Sequence, residues 1–345
     1  MQEESLSSSS GSPGTAVPGL GILLIQLGTP DAPTPEALRP YLRQFLGDPR
    51  VIENPPWYWP LIFQLILWRR PAQSAAKYQR IWDPITGSPL MHWTKRQTEL
   101  VQAKFPGIPV RFGMQVGNPS VAKVVDEMIR AGVDRLIVLP MYPQYSATTT
   151  ASATDVLFKS LLNQRRVPAL RIVPPYYRHP AYLGAMTQII REELAKLPWK
   201  PDHHVLSFHG IPIRYCKAGD PYATHVKRTT RALVEKLGWS RSEWTQTFQS
   251  LFGREAWLRP YTDEVLQKLA RQGKKKLFIA LPGFTADCLE TVDEIGHESR
   301  EVFLHAGGEA LHVCPCLNDH PAWIDAMATI IHDESKGWLS KRDAY

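Results

Sequence analysis

Eight short apolar runs, alternating with segments of helical periodicity, constrain the fold of this 345-residue chain more than any other feature. Runs that end in loops with Gly or Pro are typical of buried strands. The predicted strands are residues 21–27, 110–114, 135–140, 170–173, 204–208, 245–249, 276–281 and 310–313. The predicted helices are residues 36–46, 95–104, 120–131, 181–197, 222–237, 263–272 and 321–332. Alternation of this kind predicts parallel sheets with helices on both faces.

The even division of the strands predicts an α/β protein with two similar Rossmann-like lobes, each a four-stranded parallel sheet flanked by helices. Residues 1–19 are rich in Ser, Gly and Pro and lack the continuous apolar segment of a signal peptide, so we expect a disordered tail and no secretory signal. The N-terminal lobe is then residues 20–178 and the C-terminal lobe residues 179–319. The last helix, about residues 320–333, is a candidate to pack back on the first lobe.

Composition excludes several functional classes. A net charge of +7 and a pI near 9.2 suit an acidic ligand or an anionic membrane surface. No nucleic-acid module or zinc-finger spacing occurs, so we expect no nucleic-acid partner. The four cysteines are too few for a disulfide framework, and no apolar stretch reaches the length of a membrane span. We therefore expect a cytoplasmic protein.

The most distinctive loops follow the carboxyl ends of predicted strands. They are residues 28–30, 140–146, 209–212, 250–253 and 282–287. In doubly wound sheets, ligands bind just outside these strand ends. The sequence therefore predicts that five loops converge on an active site in the cleft between the lobes.

An acidic row follows the last of these loops. Glu290, Glu294 and Glu298 recur at every fourth residue, which places three carboxylates on one face of a helix. One interpretation is a solvated helix face, and the other is a track of oxygen ligands for a divalent cation or for protons. His209, at the end of another strand, would face the start of this helix as a neutral base. Because no HExxH, CxxC or phosphate-binding glycine loop occurs, we expect a transient metal and no nucleotide.

An aromatic segment lies between the first two predicted strands. Residues 55–68 carry four aromatic side chains among the first nine and are followed by Arg69 and Arg70. The segment is either a core helix of the first lobe or an interfacial lip that contacts a membrane surface or covers a flat apolar ligand.

Seven motifs together resemble the ferrochelatases, in their bacterial form. They are residues 27–33 (LGTPDAP), 45–51 (FLGDPRV), 142–146 (YPQYS), 207–212 (SFHGIP), 219–222 (GDPY), 252–257 (FGREAW) and 282–291 (PGFTADCLET). The resemblance extends over residues 21–331. It implies a lyase that inserts Fe²⁺ into protoporphyrin IX, giving protohaem and releasing two protons as the last step of haem biosynthesis.

The resemblance also implies roles for individual residues. His209 and Glu290 match the family's catalytic positions, and with Glu294 and Glu298 they are the candidate metal-binding residues.

Four further positions match residues that line the family's porphyrin pocket. These substrate-binding candidates are Tyr142, Arg70, Ser250 and Trp257. Arg70 and Ser250 are candidates for the two propionates. A lip of this composition predicts peripheral contact with the inner face of the membrane.

Three positions depart from the family pattern. Gln115 stands where the family usually has Arg or Lys, so one expected cationic contact is missing. Cys288 stands where some members have His, and Ala147 where members with a cluster can have Cys. Because Ala147 is not a cysteine and residues 336–345 contain none, we expect no [2Fe–2S] cluster and no permanently bound cofactor, with Fe²⁺ as a substrate.

Two other functions fit the same residues less well. The first is a chelatase for another tetrapyrrole or metal, such as coproporphyrin III, cobalt or nickel. The second is a non-catalytic two-lobed tetrapyrrole binder, for which the His209–Glu290 pair would have no obvious use.

Overall fold

Two four-stranded parallel sheets form the framework of the computed structural model, which describes residues 19–253 and 255–338. The first sheet has the order β2-β1-β3-β4 and the second the order β6-β5-β7-β8. The strands are β1 (Leu20–Gln26), β2 (Val110–Met114), β3 (Arg135–Pro140), β4 (Ala169–Ile172), β5 (His203–His209), β6 (Trp244–Gln249), β7 (Lys276–Ala280) and β8 (Ala310–Val313). The shared order confirms two similar lobes. The predicted tail, apart from Gly19, lies outside the described residues.

Helices cover both sheets. They are α1 (Pro35–Leu46), α2 (Trp59–Ile81), α3 (Pro89–Lys104), α4 (Val121–Arg130), α5 (Ser152–Leu161), α6 (Pro180–Lys196), α7 (Ile213–Lys217), α8 (Tyr222–Leu237), α9 (Thr262–Arg271), α10 (Arg300–His305) and α11 (Pro321–Glu334). Local chemistry sets several of their ends. The Thr34 and Ser120 side chains cap α1 and α4, and Gly238 ends α8 in the left-handed conformation that favours glycine.

The acidic segment forms a π-helix, π2 (Glu290–Ser299), and a shorter one, π1 (Ala147–Ala151), follows β3. The α-helical geometry assumed for the acidic row was therefore wrong. A π-helix forms i→i+5 hydrogen bonds and is wider than an α-helix, so residues four and five apart share a face. Helices of this type are frequent at functional sites.

The aromatic segment lies mostly at the surface. Trp57 is 89% exposed, Leu61 74%, Leu65 52% and Trp68 68%, whereas Leu67 is buried. Interpretation of this segment as a core helix is therefore wrong for the first half of α2. We call the four exposed side chains the apolar lip.

One apolar core connects the two halves of the chain. Leu139 of β3, Tyr182 of α6, Phe208 of β5 and Trp323 of α11 belong to the same buried cluster. Helix α11 packs against α6 and also against α3 and β3 of the first half. The shared core and α11 thereby fix the position of one sheet relative to the other.

Candidate active site

A cavity of about 1000 Å³ opens between the lobes. Its walls include Leu27 after β1, Tyr142 after β3, His209 at the end of β5, Ser250 after β6 and Gly283 after β7. The carboxyl ends of parallel strands lie at one edge of each sheet, which brings these loops together. Glu290, the first residue of π2, lines the same cavity.

His209 has its proton fixed on one ring nitrogen. Its Nδ1 lies 2.6 Å from the Gly210 carbonyl oxygen, and since a carbonyl only accepts, Nδ1 must carry the hydrogen. In the neutral imidazole, Nε2 then holds the lone pair. The backbone is held from the other side by Tyr222, whose hydroxyl donates to the His209 carbonyl at 2.9 Å. Through Nε2, His209 is therefore positioned to act as a base or a metal ligand.

Glu294 follows Glu290 on π2 and has a different environment. Its carboxylate accepts hydrogen bonds from both the backbone N–H and the hydroxyl of Ser250, each at 2.6 Å. Burial raises the pKa of Glu294, and the neighbouring Glu290 charge acts in the same direction, whereas Ser250 and His209 oppose it. Glu294 therefore retains a proton more readily than an ordinary glutamate.

The outer end of the acidic row carries cationic partners that the sequence prediction missed. Lys77 Nζ lies 2.8 Å from the Glu298 carboxylate, and Arg80 Nη2 lies 3.0 Å from it. Arg80 Nε also lies 2.7 Å from Asp293, whose side chain is fully buried. Burial alone would raise the pKa of Glu298, but Lys77 and Arg80 outweigh it and lower that pKa. Two cations three residues apart on one helix are the signal that could have indicated this contact.

The four predicted substrate-binding residues all line the large cavity. The Arg70 guanidinium lies 4.6 Å from the centre of the Phe252 ring, and within the described residues no carboxylate pairs with it. The Ser250 hydroxyl donates to Glu294, and the Trp257 ring centre lies 6.4 Å from that of His209.

Arg214, another cation of the cavity wall, is already paired. It lies 2.8 Å from Glu255 and 3.8 Å from Glu53. Of these two arginines in the described part of the cavity wall, Arg70 has no carboxylate partner and is available to an acidic ligand, whereas the charge of Arg214 is offset by two glutamates.

A second cavity of about 530 Å³ shares Arg70, Ser250 and Phe252 with the first and is also lined by Glu294 and Glu298. The acidic row thus extends from one cavity to the next. In the part of the chain that the structure describes, no three His, Cys, Asp or Glu side chains form a group suited to hold a metal ion. The metal-binding assignments of His209, Glu290, Glu294 and Glu298 remain predictions.

The Tyr142 hydroxyl donates to Oε1 of the Gln115 side-chain amide at 2.9 Å. Gln115 is buried, so a neutral amide occupies the position at which a cation was expected. Between residues 19 and 338, Arg254 excepted, no helix has the length and apolarity needed to cross a membrane.

Comparison with known proteins gives concordant matches. The family model for ferrochelatase matches residues 19–335. The ferrochelatase of Mesorhizobium japonicum is 46% identical over 325 residues, covering 93% of this chain and 92% of the relative. That of Pectobacterium atrosepticum is 46% identical over 312 residues, covering 90% and 97%. SirB from Bacillus subtilis, solved with Fe³⁺, has a TM-score of 0.51 at 14% identity, covering 92% of this chain and 97% of SirB. At that identity, the likeness shows the fold alone.

Proposed function

The chain belongs to the ferrochelatase family, and on that premise we propose that it inserts Fe²⁺ into protoporphyrin IX to form protohaem, releasing two protons. It is an enzyme of haem biosynthesis that inserts iron into a porphyrin. The non-catalytic binder is accordingly set aside. The observation that carries the assignment of residues is the hydrogen bond from His209 Nδ1 to Gly210, which leaves Nε2 as the nitrogen that can accept a proton, in a cavity that Glu290 also lines.

His209 acts in this proposal as the base. A flat porphyrin directs its two N–H bonds and its nitrogen lone pairs toward the ring centre, so the ring must bend before protons leave and the metal enters. Holding the bent ring favours the transition state over the flat substrate. The His209 Nε2 lone pair then accepts one pyrrole proton, the second leaves along the acidic row, and the two N–H bonds are replaced by bonds to iron.

The acidic row delivers Fe²⁺ to the ring and carries released protons away from it. Glu290 and Glu294 present carboxylate oxygens to Fe²⁺, and the raised pKa of Glu294 also suits it to carry a released proton outward. Glu298 is the outermost candidate ligand, and iron must compete there with Lys77 and Arg80.

The charge of the cavity wall supports a porphyrin with two propionates. Arg70 is available to them, whereas Arg214 is occupied by Glu53 and Glu255. Four propionates, as in coproporphyrin III, would place carboxylates beside these glutamates, where like charges repel.

An anaerobic assay with Fe²⁺ and either protoporphyrin IX or coproporphyrin III tests this choice. We expect faster haem formation from protoporphyrin IX, and Arg70→Met should weaken its binding about tenfold or more, the value of a lost bond to a charged group. Arg69→Met is the matched control, because Arg69 does not line the cavity. Preference for coproporphyrin III would contradict the proposal.

The apolar lip supports peripheral attachment of this cytoplasmic enzyme to the inner face of the membrane. Large apolar side chains next to Arg69 and Arg70 suit an anionic surface, and one short apolar face gives reversible binding. We expect Leu61→Glu with Leu65→Glu to abolish co-flotation with phosphatidylglycerol-containing vesicles. Ile85→Glu, also at an exposed apolar residue but outside the lip, should bind vesicles as the wild type does. Equal flotation of all three proteins would contradict this attachment.

A further inference from the structure

A row of hydrogen bonds runs from the cavity wall to the carboxylate of Asp48. The Tyr142 hydroxyl donates to Gln115 Oε1 at 2.9 Å, and Gln115 Nε2 donates to the Ser152 hydroxyl oxygen at 2.6 Å. The Ser152 hydroxyl in turn donates to Asp48 Oδ2. Gln115 and Ser152 are each 1% exposed, so water does not compete for these bonds.

The carboxylate at the far end fixes the direction of every bond. An ionised carboxylate only accepts, and the Arg50 backbone N–H already donates to the other Asp48 oxygen at 2.8 Å. Ser152 has a single proton and must give it to Asp48, so its lone pair accepts from the Gln115 amino group. The Gln115 carbonyl oxygen is thereby directed to Tyr142, which has to donate.

Tyr142 lines the cavity, and because its proton is given to Gln115, its hydroxyl has only lone pairs left for a ligand. Burial raises the pKa of Tyr142, and the charge of nearby Asp48 raises it further, so the group remains a neutral phenol. A neutral phenol whose proton is committed elsewhere can only accept from a ligand.

We propose that Tyr142 accepts a hydrogen bond from a pyrrole N–H of the metal-free porphyrin, and that Gln115 is the positioning residue that gives Tyr142 this role. The inference rests on the proposed function. The pyrrole N–H groups are the donors that metallation removes, and bending of the ring tilts them out of its plane. An acceptor in the cavity wall therefore stabilises the bent substrate and has no partner in the product.

Comparison of two ligands isolates this contact. Protoporphyrin IX has two N–H groups, whereas zinc protoporphyrin has the same propionates and ring edge but none. We expect Tyr142→Phe to weaken binding of the free base about three- to tenfold, the value of one hydrogen bond, and to change binding of the zinc complex less than about twofold. Tyr41→Phe is the matched control, since the Tyr41 hydroxyl donates to the Gly28 carbonyl at 3.3 Å and the residue does not line the cavity.

Gln115→Arg tests the positioning role. Arginine has five donors and no acceptor, so it would donate to the Tyr142 oxygen and turn the phenol proton into the cavity, toward the pyrrole N–H. We expect this variant to weaken free-base binding at least as much as Tyr142→Phe, and the double variant to show no further loss. Free-base affinity unchanged in Gln115→Arg would overturn the role of Gln115.

The results that overturn the contact itself are equally specific. Equal weakening of both porphyrins by Tyr142→Phe would place the hydroxyl against the ring edge or a propionate. An altered KM for Fe²⁺ with unchanged porphyrin binding would make metal-bound water the donor. Either result leaves the proposed function standing if the wild type forms haem, whereas a wild type that forms none contradicts the proposed function.

Discussion

Local surroundings set the tautomer of His209 and the pKa of Glu294. The Gly210 carbonyl fixes a hydrogen on Nδ1 of His209, and burial raises the pKa of Glu294, which lines the neighbouring cavity. The sequence predicted both residues, because a histidine after a strand and a glutamate row are visible without coordinates. It could not predict the tautomer of His209, which depends on the Gly210 carbonyl, or the raised pKa of Glu294, which depends on burial. Nor could it find Asp293, whose burial comes from packing alone.

Glu294→Gln should stabilise the protein at neutral pH. A raised pKa means that the folded state binds the proton more tightly, so stability is lost as pH rises above the ordinary glutamate range. Glutamine keeps both contacts to Ser250 and has no charge to bury. We expect a higher free energy of unfolding in urea at pH 7, and a difference that vanishes below about pH 4, where an ordinary glutamate is protonated.

Glu99→Gln serves as the control, because Glu99 is two-thirds exposed and should show little change at either pH. A Glu294→Gln variant that is less stable at pH 7 would contradict the assigned direction of the pKa shift.

At the scale of elements, α2 and π2 stabilise each other through an ion pair. The Arg80–Asp293 contact joins residues 213 positions apart, and no local pattern predicts it. The same separation explains the error in helix type: glutamates at every fourth residue fit an α-helix and a π-helix alike, and packing decides between them. The strands were predictable to within a residue at each end, because period-two and continuous apolar runs are local signals.

Arg80→Met should cost more stability than Lys77→Met. Loss of Arg80 leaves the buried Asp293 carboxylate without its cation. Because Arg80 is itself 48% exposed, we expect the free energy of unfolding to fall by only about 1–3 kcal/mol. Lys77 contacts only the partly exposed Glu298, so its loss should cost less than about 1 kcal/mol.

Denaturant unfolding measures both variants. Arg80→Met with Asp293→Asn should recover part of the loss, since the buried charge is then absent. Equal effects of Arg80→Met and Lys77→Met would show that Asp293 does not depend on Arg80.

At the scale of the whole molecule, the two lobes share one core. Tyr182, Phe208 and Trp323 pack in the same cluster as Leu139 of the first sheet. The alternation of strands and helices predicted two lobes, but their common core includes α11, which contacts α3 and β3 of the first half as well as α6. Local patterns contain no information on such contacts.

We expect the described lobes to unfold together. Because the cluster crosses between them, neither lobe can lose its packing without exposing apolar surface of the other. Differential scanning calorimetry should give one transition, with the calorimetric enthalpy equal to the van 't Hoff enthalpy. Two separated transitions would show that the shared core does not couple the lobes.

The central claim is that this cleft metallates a porphyrin with His209 as its base, and anaerobic haem formation by His209→Ala tests it most directly. The wild type and His305→Ala, a variant at an exposed histidine outside the cavity, should both convert protoporphyrin IX and Fe²⁺ to haem. His209→Ala should bind the porphyrin within a few-fold of the wild type and form no haem. Substantial haem formation by His209→Ala would remove His209 from the mechanism.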